Sequence, residues 1–136
     1  MSERTLVLIK PDAVRRRLVG EIVGRFEAKG LELVALEQRT LDSETAEKHY
    51  AEHAEKPFFG DLVEFICGGA LVAIVLEGRD AISVVRTMMG QTDPAASPPG
   101  SIRGDLGLEV TENLVHGSDS PESASREIAL FFNSLD

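Results

Sequence analysis

Residues Ala70–Gly78 read ALVAIVLEG, and every position from Ala70 to Leu76 is apolar. The run is too short for a helix of ordinary length and shows no alternation. Its branched residues, Val72, Ile74 and Val75, favour a strand, and the lack of polar positions requires that strand to be buried on both faces. Upstream, FFGDLVEFICGG (58–69) reads as a helix, and Asp42-Ser43 caps another that runs through Tyr50. LELVALEQRTL (31–41) alternates through Leu31, Leu33 and Ala35 before Leu36 falls out of phase, the pattern of a half-buried strand with a bulge. VGEIVGRFEAKG carries Val19, Ile22, Val23 and Phe26 at helical spacing and ends on Gly30, a helix C-cap. RTLVLI (4–9) is a strand that stops at Lys10-Pro11.

Downstream, DAISVVRTMMG reads as a helix with Asp80 at its start and Gly90 at its end. GQTDPAASPPGSIRG, residues 90–104, reads as a long Pro/Gly/Ser loop, a feature that is usually functional or disordered in a compact domain. A short strand is expected at Leu114–His116. A last helix is expected from Ser120, with Pro121 at the favoured first position. The order is strand, helix, strand, helices, strand, helix, loop, strand, helix. It predicts one domain over residues 1–136 of the α+β class. The expected architecture is ferredoxin-like, βαββαβ, with a four-stranded antiparallel sheet and additional helices. No repeat, linker or low-complexity tail is visible.

The 136 residues are 43% apolar and carry a formal charge of −9. That apolar content argues against disorder. The acidic balance argues against a surface that binds nucleic acid by neutralising its phosphates, though a local basic pocket could still take a small polyphosphate. With one cysteine, Cys67, no intrachain disulfide is possible, and a reducing compartment fits. The first residues lack the basic region and cleavage site of a secretory signal, and no run reaches about 18 apolar residues. The expectation is a soluble, cytoplasmic protein with no membrane partner.

His116 sits where an apolar dipeptide, Leu114-Val115, breaks into Gly117, Ser118, Asp119 and Ser120. Free N–H groups at a helix start attract anions, and glycine permits close approach of a ligand. On the helix that follows, Ala124, Ile128, Phe131, Phe132 and Leu135 form an apolar stripe. Glu127 falls on that same inward face. A core-facing acid needs a partner, and an imidazole whose tautomer it fixes is a fitting one. The pair makes a plausible nucleophilic histidine beside an anion site. The alternative is an ordinary strand-end histidine with a solvated glutamate.

Basic residues are few. Lys10 closes the first strand, Arg86 lies mid-helix and Arg103 ends the long loop. Singly, each reads best as a surface charge; such placements can also grip phosphate, with Thr92 adding a hydroxyl. No glycine-lysine phosphate loop and no GxGxxG is present. His49 and His53 lack the adjacent glutamate of a zinc-protease helix and read as surface or packing residues, so no protein metal site is expected. Cys67 reads as an inert core thiol.

TLVLIKPDAV, HYAEHAEKPFFGDLVEF, GSIRGD and NLVHGSDSPESASREIALFF together resemble the nucleoside diphosphate kinases, in order and over nearly the whole chain. The NLVHGSDS segment is the most specific of these. The resemblance implies transfer of the γ-phosphoryl of a nucleoside triphosphate, typically ATP, to a nucleoside diphosphate. It implies a ping-pong route through phosphohistidine, with Mg²⁺ held mainly on the nucleotide phosphates. Position by position, it makes His116 the phosphorylated residue, oriented by Glu127 and Ser118. Lys10 contacts the phosphates and the ribose hydroxyl, and Tyr50 lies near the transferring group. Arg86, Thr92 and Arg103 grip phosphate, Asn113 contacts ribose, and Phe58 stacks on the base with Leu62 and Val110 around it.

Three departures are visible: Ser101 for the usual threonine, Leu106 where an aromatic is common, and CGGAL for a more usual Ser-Gly-Pro-Val. None touches a motif residue. Apolar base contacts predict broad base and sugar specificity. A phosphocarrier domain would not need Phe58 or the basic set. An RNA-binding module of this shape is disfavoured by the acidic charge and sparse aromatics, so no nucleic-acid partner is expected. The apolar third strand leaves a sheet face to be covered by remaining segments or a second subunit, and the long loop would order more easily at a subunit contact. With the resemblance, this predicts a homohexamer, the tetramer being the alternative.

Overall fold

In the computed structural model, which describes residues 2–133, the apolar run becomes β3 (Leu71–Arg79), paired on both sides. Its neighbours are β1 (Ser2–Ile9) and β2 (Glu32–Arg39), and β4 (Val115–Gly117) closes the other edge, in the order β2-β3-β1-β4. All pairs are antiparallel. The four-stranded α+β sheet is the expected one. The bulge in β2 falls at Val34, between the pairs Leu33–Leu76 and Ala35–Val75. Beyond it Leu36 is turned outward and is half exposed.

Pleating sends alternate residues of β3 into two separate apolar layers. Val72, Ile74 and Leu76 join Val7 and Ile9 of β1 against Ile22 and Phe26 of α2 (Val19–Lys29) and Val85 and Met89 of α5 (Ala81–Met89). Leu71, Ala73 and Val75 join Leu6 and Leu8 against Ala46 of α3 (Ser43–His49), Ile66 of α4 (Phe59–Cys67) and Phe131 of α7 (Pro121–Phe131). Each large side chain so buried contributes about 1.5–3 kcal/mol. Of the two covers expected for the second sheet face, remaining segments or a second subunit, the chain's own helices supply it. The apolarity of β3 needs no assembly to explain it.

Caps set several element ends. Asp42 accepts from the Thr45 amide at 2.7 Å to start α3, and Ser120 accepts from Ser123 at 3.1 Å to start α7. Gly30 ends α2 at φ 108°. Asp80 does not cap α5: its backbone is left-handed at φ 53°, and Glu3 of β1 accepts from the Ile82 amide at 2.9 Å instead.

Other boundaries differ from expectation. Pro11 does not merely stop β1; it opens the short helix α1 (Pro11–Arg15). Tyr50 lies just beyond α3 rather than inside it. The long loop is shorter than expected, because α6 (Ile102–Leu106) starts within it, so Arg103 is helical. The loop also orders itself. Pro94–Ala96 forms a 3₁₀ turn, Ser101 Oγ donates to the Pro98 carbonyl at 2.6 Å, and Asp105 accepts from the Gly100 amide at 2.9 Å. The last strand sits one residue later than expected, at Val115–Gly117. Leu135, assigned to the last helix stripe, lies outside the described residues.

Candidate active site

A kink at Leu114 builds the site. Leu114 is left-handed at φ 76°, fully buried, and held by two hydrogen bonds. Its amide donates to Asp12 Oδ2 at 3.0 Å, and its carbonyl accepts from the Lys10 amide at 2.9 Å. The chain then pairs with β1, which sets His116 opposite Leu8. His116 is half-buried at the sheet edge while Ser118 behind it is fully buried.

From α7, Glu127 points inward and is 4% exposed. Its Oε2 lies 3.1 Å from His116 Nε2, and its Oε1 accepts from Ser118 Oγ at 2.7 Å. Burial alone would raise the Glu127 carboxyl. The hydrogen bond and charge of His116, with the Ser118 hydroxyl, outweigh it and hold the carboxyl below its ordinary range. An ionised Glu127 fixes the proton on Nε2 and leaves the lone pair of Nδ1 free.

The ring of His49 packs edge-on against His116 with centroids 4.6 Å apart, and against Tyr50 at 4.7 Å. Of the two readings for this residue, packing holds, and what it packs on is the site. Burial, aided by the neighbouring His116, pushes His49 down to about 3, so it is neutral at physiological pH. Burial likewise pushes Tyr50 up to about 12, which keeps its hydroxyl a donor.

Facing His116 is a cavity of about 320 Å³ lined by Lys10, Tyr50, Arg86, Thr92, Arg103 and Asn113, with Glu52, His53 and Asp119 also on its wall. Lys10 Nζ donates to Asn113 Oδ1 at 2.5 Å, and Asn113 Nδ2 donates to the Thr92 carbonyl at 2.9 Å. Burial lowers Lys10 to about 8, against the pull of Asp12 and with the push of Arg103. Arg103 is lowered to about 10 by burial and by Arg86. Its guanidinium also ties the loop to β4: it donates to the carbonyls of Gly90, Gln91, Asn113 and Val115 at 2.6–3.3 Å. Arg86 donates to the Gly117 carbonyl at 3.3 Å. Among the described residues no carboxylate comes within ion-pair distance of Lys10, Arg86 or Arg103. Buried cations such as Lys10 and Arg103 without counterions favour an incoming anion, and the more exposed Arg86 adds to the same positive charge. Larger clefts exist, one of about 470 Å³ beside Glu3, Ile82 and α7, but no such set of cations converges on it.

Seven of the expected site residues thus line one cavity, and Ser118 and Glu127 buttress His116 from behind. Phe58, Leu62 and Val110 lie outside the lining. Phe58 is 44% exposed at the start of α4, its ring 5.9 Å from that of His53. Leu62 is half-buried one turn along α4, and Val110 is exposed in the segment before β4. Sequence reasoning missed His49, His53, Asp12, Glu52 and Asp119 as part of the site. The doublet at His49 and His53 was the visible signal for the first, but only the docking of α3 on α7 gives it a partner. Cys67 ends α4 half-buried, its thiol pushed up by burial, in keeping with an inert role.

The family model described as nucleoside diphosphate kinase matches residues 3–136. The chain belongs to the nucleoside diphosphate kinase family. It is 65% identical over 136 residues to the nucleoside diphosphate kinase of Mycobacteroides abscessus, covering 99% of this chain and all of that one. It is 63% identical over 134 residues to that of Parafrankia sp., covering 98% of each. Among solved structures, it superimposes with a TM-score of 0.95 on the halophilic family member from Halobacterium salinarum in complex with CDP. That match has 50% identity and covers 98% of this chain and 90% of that one. The apo enzyme from Encephalitozoon cuniculi gives the same TM-score at 42% identity, with 98% and 92% covered. These neighbours share the ferredoxin-like architecture read from the sequence. Among the described residues no helix is long and apolar enough to cross a membrane.

Proposed function

We propose that this chain, as one domain, transfers the γ-phosphoryl group of a nucleoside triphosphate to a nucleoside diphosphate through a phosphohistidine at His116. The observation that carries the reading is the pairing of His116 Nε2 with Glu127 at 3.1 Å, which leaves Nδ1 as the free nucleophile beside a cation-lined cavity. Nδ1 attacks the γ-phosphorus, the bond to the β-phosphate oxygen breaks, and the nucleoside diphosphate leaves. Positive charge on the imidazole is balanced by Glu127. A second nucleoside diphosphate enters the same cavity and its terminal oxygen takes the phosphoryl group back. Splitting the transfer this way lets one pocket serve donor and acceptor in turn.

In this reading Lys10, Arg86 and Arg103 neutralise phosphate charge, Thr92 and Tyr50 offer hydroxyls, and Asn113 orients Lys10 and meets the ribose. Arg103 also keeps the cavity wall in place through its four carbonyls. Phe58 offers an exposed aromatic face for any base, with Leu62 and Val110 beside it, so base and sugar specificity is broad. The donor set suits Mg²⁺ borne on the nucleotide. The cavity wall carries two carboxylates, Glu52 and Asp119, which are hard oxygen ligands but too few for a protein cage. When bound, Mg²⁺ neutralises phosphate charge, and Glu52 and Asp119 would hold it directly or through water.

The same reading makes the chain a cytoplasmic homo-oligomer, a hexamer with the tetramer as alternative. The exposed Leu36 on the edge strand β2, and Leu108, support contact between copies. Incubation with γ-labelled ATP tests the chemistry: the label should be acid-labile and base-stable, and His116→Ala should lose both label and turnover. Labelling of that variant at the wild-type level would overturn the assignment. A preference for one base above about a hundredfold would contradict a stacking pocket.

A further inference from the structure

His49, His116 and Glu127 each offer one metal-ligating atom, and these atoms lie within 4.8 Å of one another. A second observation is independent of that distance. His49 is 3% exposed, and neither of its ring nitrogens has a hydrogen-bond partner. A ring needed only for packing against His116, Tyr50 and Phe131 could be carbon throughout. Two buried nitrogens without partners call for a ligand.

We propose that His49, His116 and Glu127 bind a divalent transition-metal ion of the zinc class, and that the bound ion silences His116. Two imidazoles and a carboxylate form a three-ligand set. Nitrogen donors select zinc-class ions over Mg²⁺, which requires oxygen ligands. Donors on a tetrahedral zinc ion stand about 3.4 Å apart. The Glu127–His116 pair, at 3.1 Å, already meets that spacing. The widest separation in the cluster, at most 4.8 Å, must close by up to about 1.4 Å for all three to hold one ion. Ser118 stays on Oε1 and orients the carboxylate, leaving Oε2 to the metal.

The silencing half rests on the phosphohistidine reading. A neutral imidazole has a single lone pair. The ion takes the lone pair of Nε2, the nitrogen already facing Glu127, and the ring's single proton moves through solvent from Nε2 to Nδ1, so the ring stays neutral. No lone pair is then left there to attack phosphorus.

The test uses the ¹⁵N-labelled, nucleotide-free wild-type chain titrated with Zn²⁺. Ring ¹⁵N resonances of His49 and His116 should move to the metal-bound range at one equivalent, while those of His53 stay in place. Phosphoenzyme formation from γ-labelled ATP in excess Mg²⁺ should fall at least about tenfold, and His49→Phe should raise the Zn²⁺ needed by at least about tenfold. Unmoved His49 resonances would overturn the site, as would an unchanged Zn²⁺ response in His49→Phe or its loss in Cys67→Ser. Should His49→Phe not fold, the wild-type ring shifts decide alone. Zn²⁺ binding at these rings without loss of labelling would refute the silencing. Persistent labelling of metal-free His116→Ala would instead refute the phosphohistidine reading and leave the ring shifts standing.

Discussion

Raising the pH from 7 to 9 should weaken nucleoside diphosphate binding about tenfold, and Lys10 is the reason. Burial lowers its ammonium to about 8 in the ligand-free chain. A group titrating there is about 90% charged at pH 7 and about 10% charged at pH 9. Only the charged form attracts phosphate, so the free energy of binding falls by about 1.4 kcal/mol over that range. A bound phosphate restores the charge, so binding takes up protons as the pH rises through 8. Tyr50, pushed up to about 12, stays protonated, and Arg103, lowered to about 10, stays mostly charged. Calorimetric titration with ADP at pH 7, 8 and 9, in two buffers of different ionisation enthalpy, measures affinity and proton uptake together. Lys10→Gln should bind more weakly and lose the fall. Equal wild-type affinity at pH 7 and 9, or the same tenfold fall in Lys10→Gln, would refute the reasoning.

Glu127→Gln should slow phosphoenzyme formation by about a hundredfold while nucleotide affinity stays within a few-fold, because the ring loses its fixed orientation; rapid-quench labelling beside equilibrium binding separates the two. Gly104→Ala should destabilise the chain by about 3 kcal/mol in urea unfolding, since the added Cβ would meet the backbone carbonyl of Pro98, its oxygen at 2.0 Å and its carbon at 2.7 Å. Asp12→Ala should cost about 1–3 kcal/mol by orphaning the buried Leu114 amide, and should lower turnover because the kink that carries His116 relaxes. A variant of Asp12 as stable as wild type would show that the kink holds without it.

What was legible in the sequence was whatever local chemistry decides alone. The unbroken apolar run gave β3 its place inside the sheet. The caps at Asp42 and Ser120 and the glycine at 30 marked helix ends through bonds spanning only a few residues. The spacing of Ala124, Glu127 and Phe131 exposed an acid on an inward face, and so the partner of His116. Tertiary decisions were not legible. Pro11 can either end a strand or open a helix, and only the packing of Ala13 shows which. Asp80 has the composition of a cap but the wrong backbone, and its role passes to Glu3 on another strand. Helix periodicity does not say which sheet face a helix covers, so the sequence left open whether the chain's own segments or a second subunit formed the layer that α3, α4 and α7 build. The four carbonyls on Arg103 and the ring of His49 against His116 depend on elements far apart in sequence.

The cation-lined cavity also ties the lifetime of the chain to its substrate. Holding Lys10 at about 8 rather than its ordinary 10.5 means that folding works against a charged, poorly hydrated ammonium, at a cost of up to about 3 kcal/mol near neutral pH. Arg103, next to Arg86, adds to the same repulsion. An empty pocket therefore costs the fold stability, and a polyphosphate entering it offsets that cost as it binds. Chains starved of nucleotide should open more often and be cut sooner by proteases than chains that are fed. The abundance of the protein would then follow the nucleotide pool without any dedicated regulator.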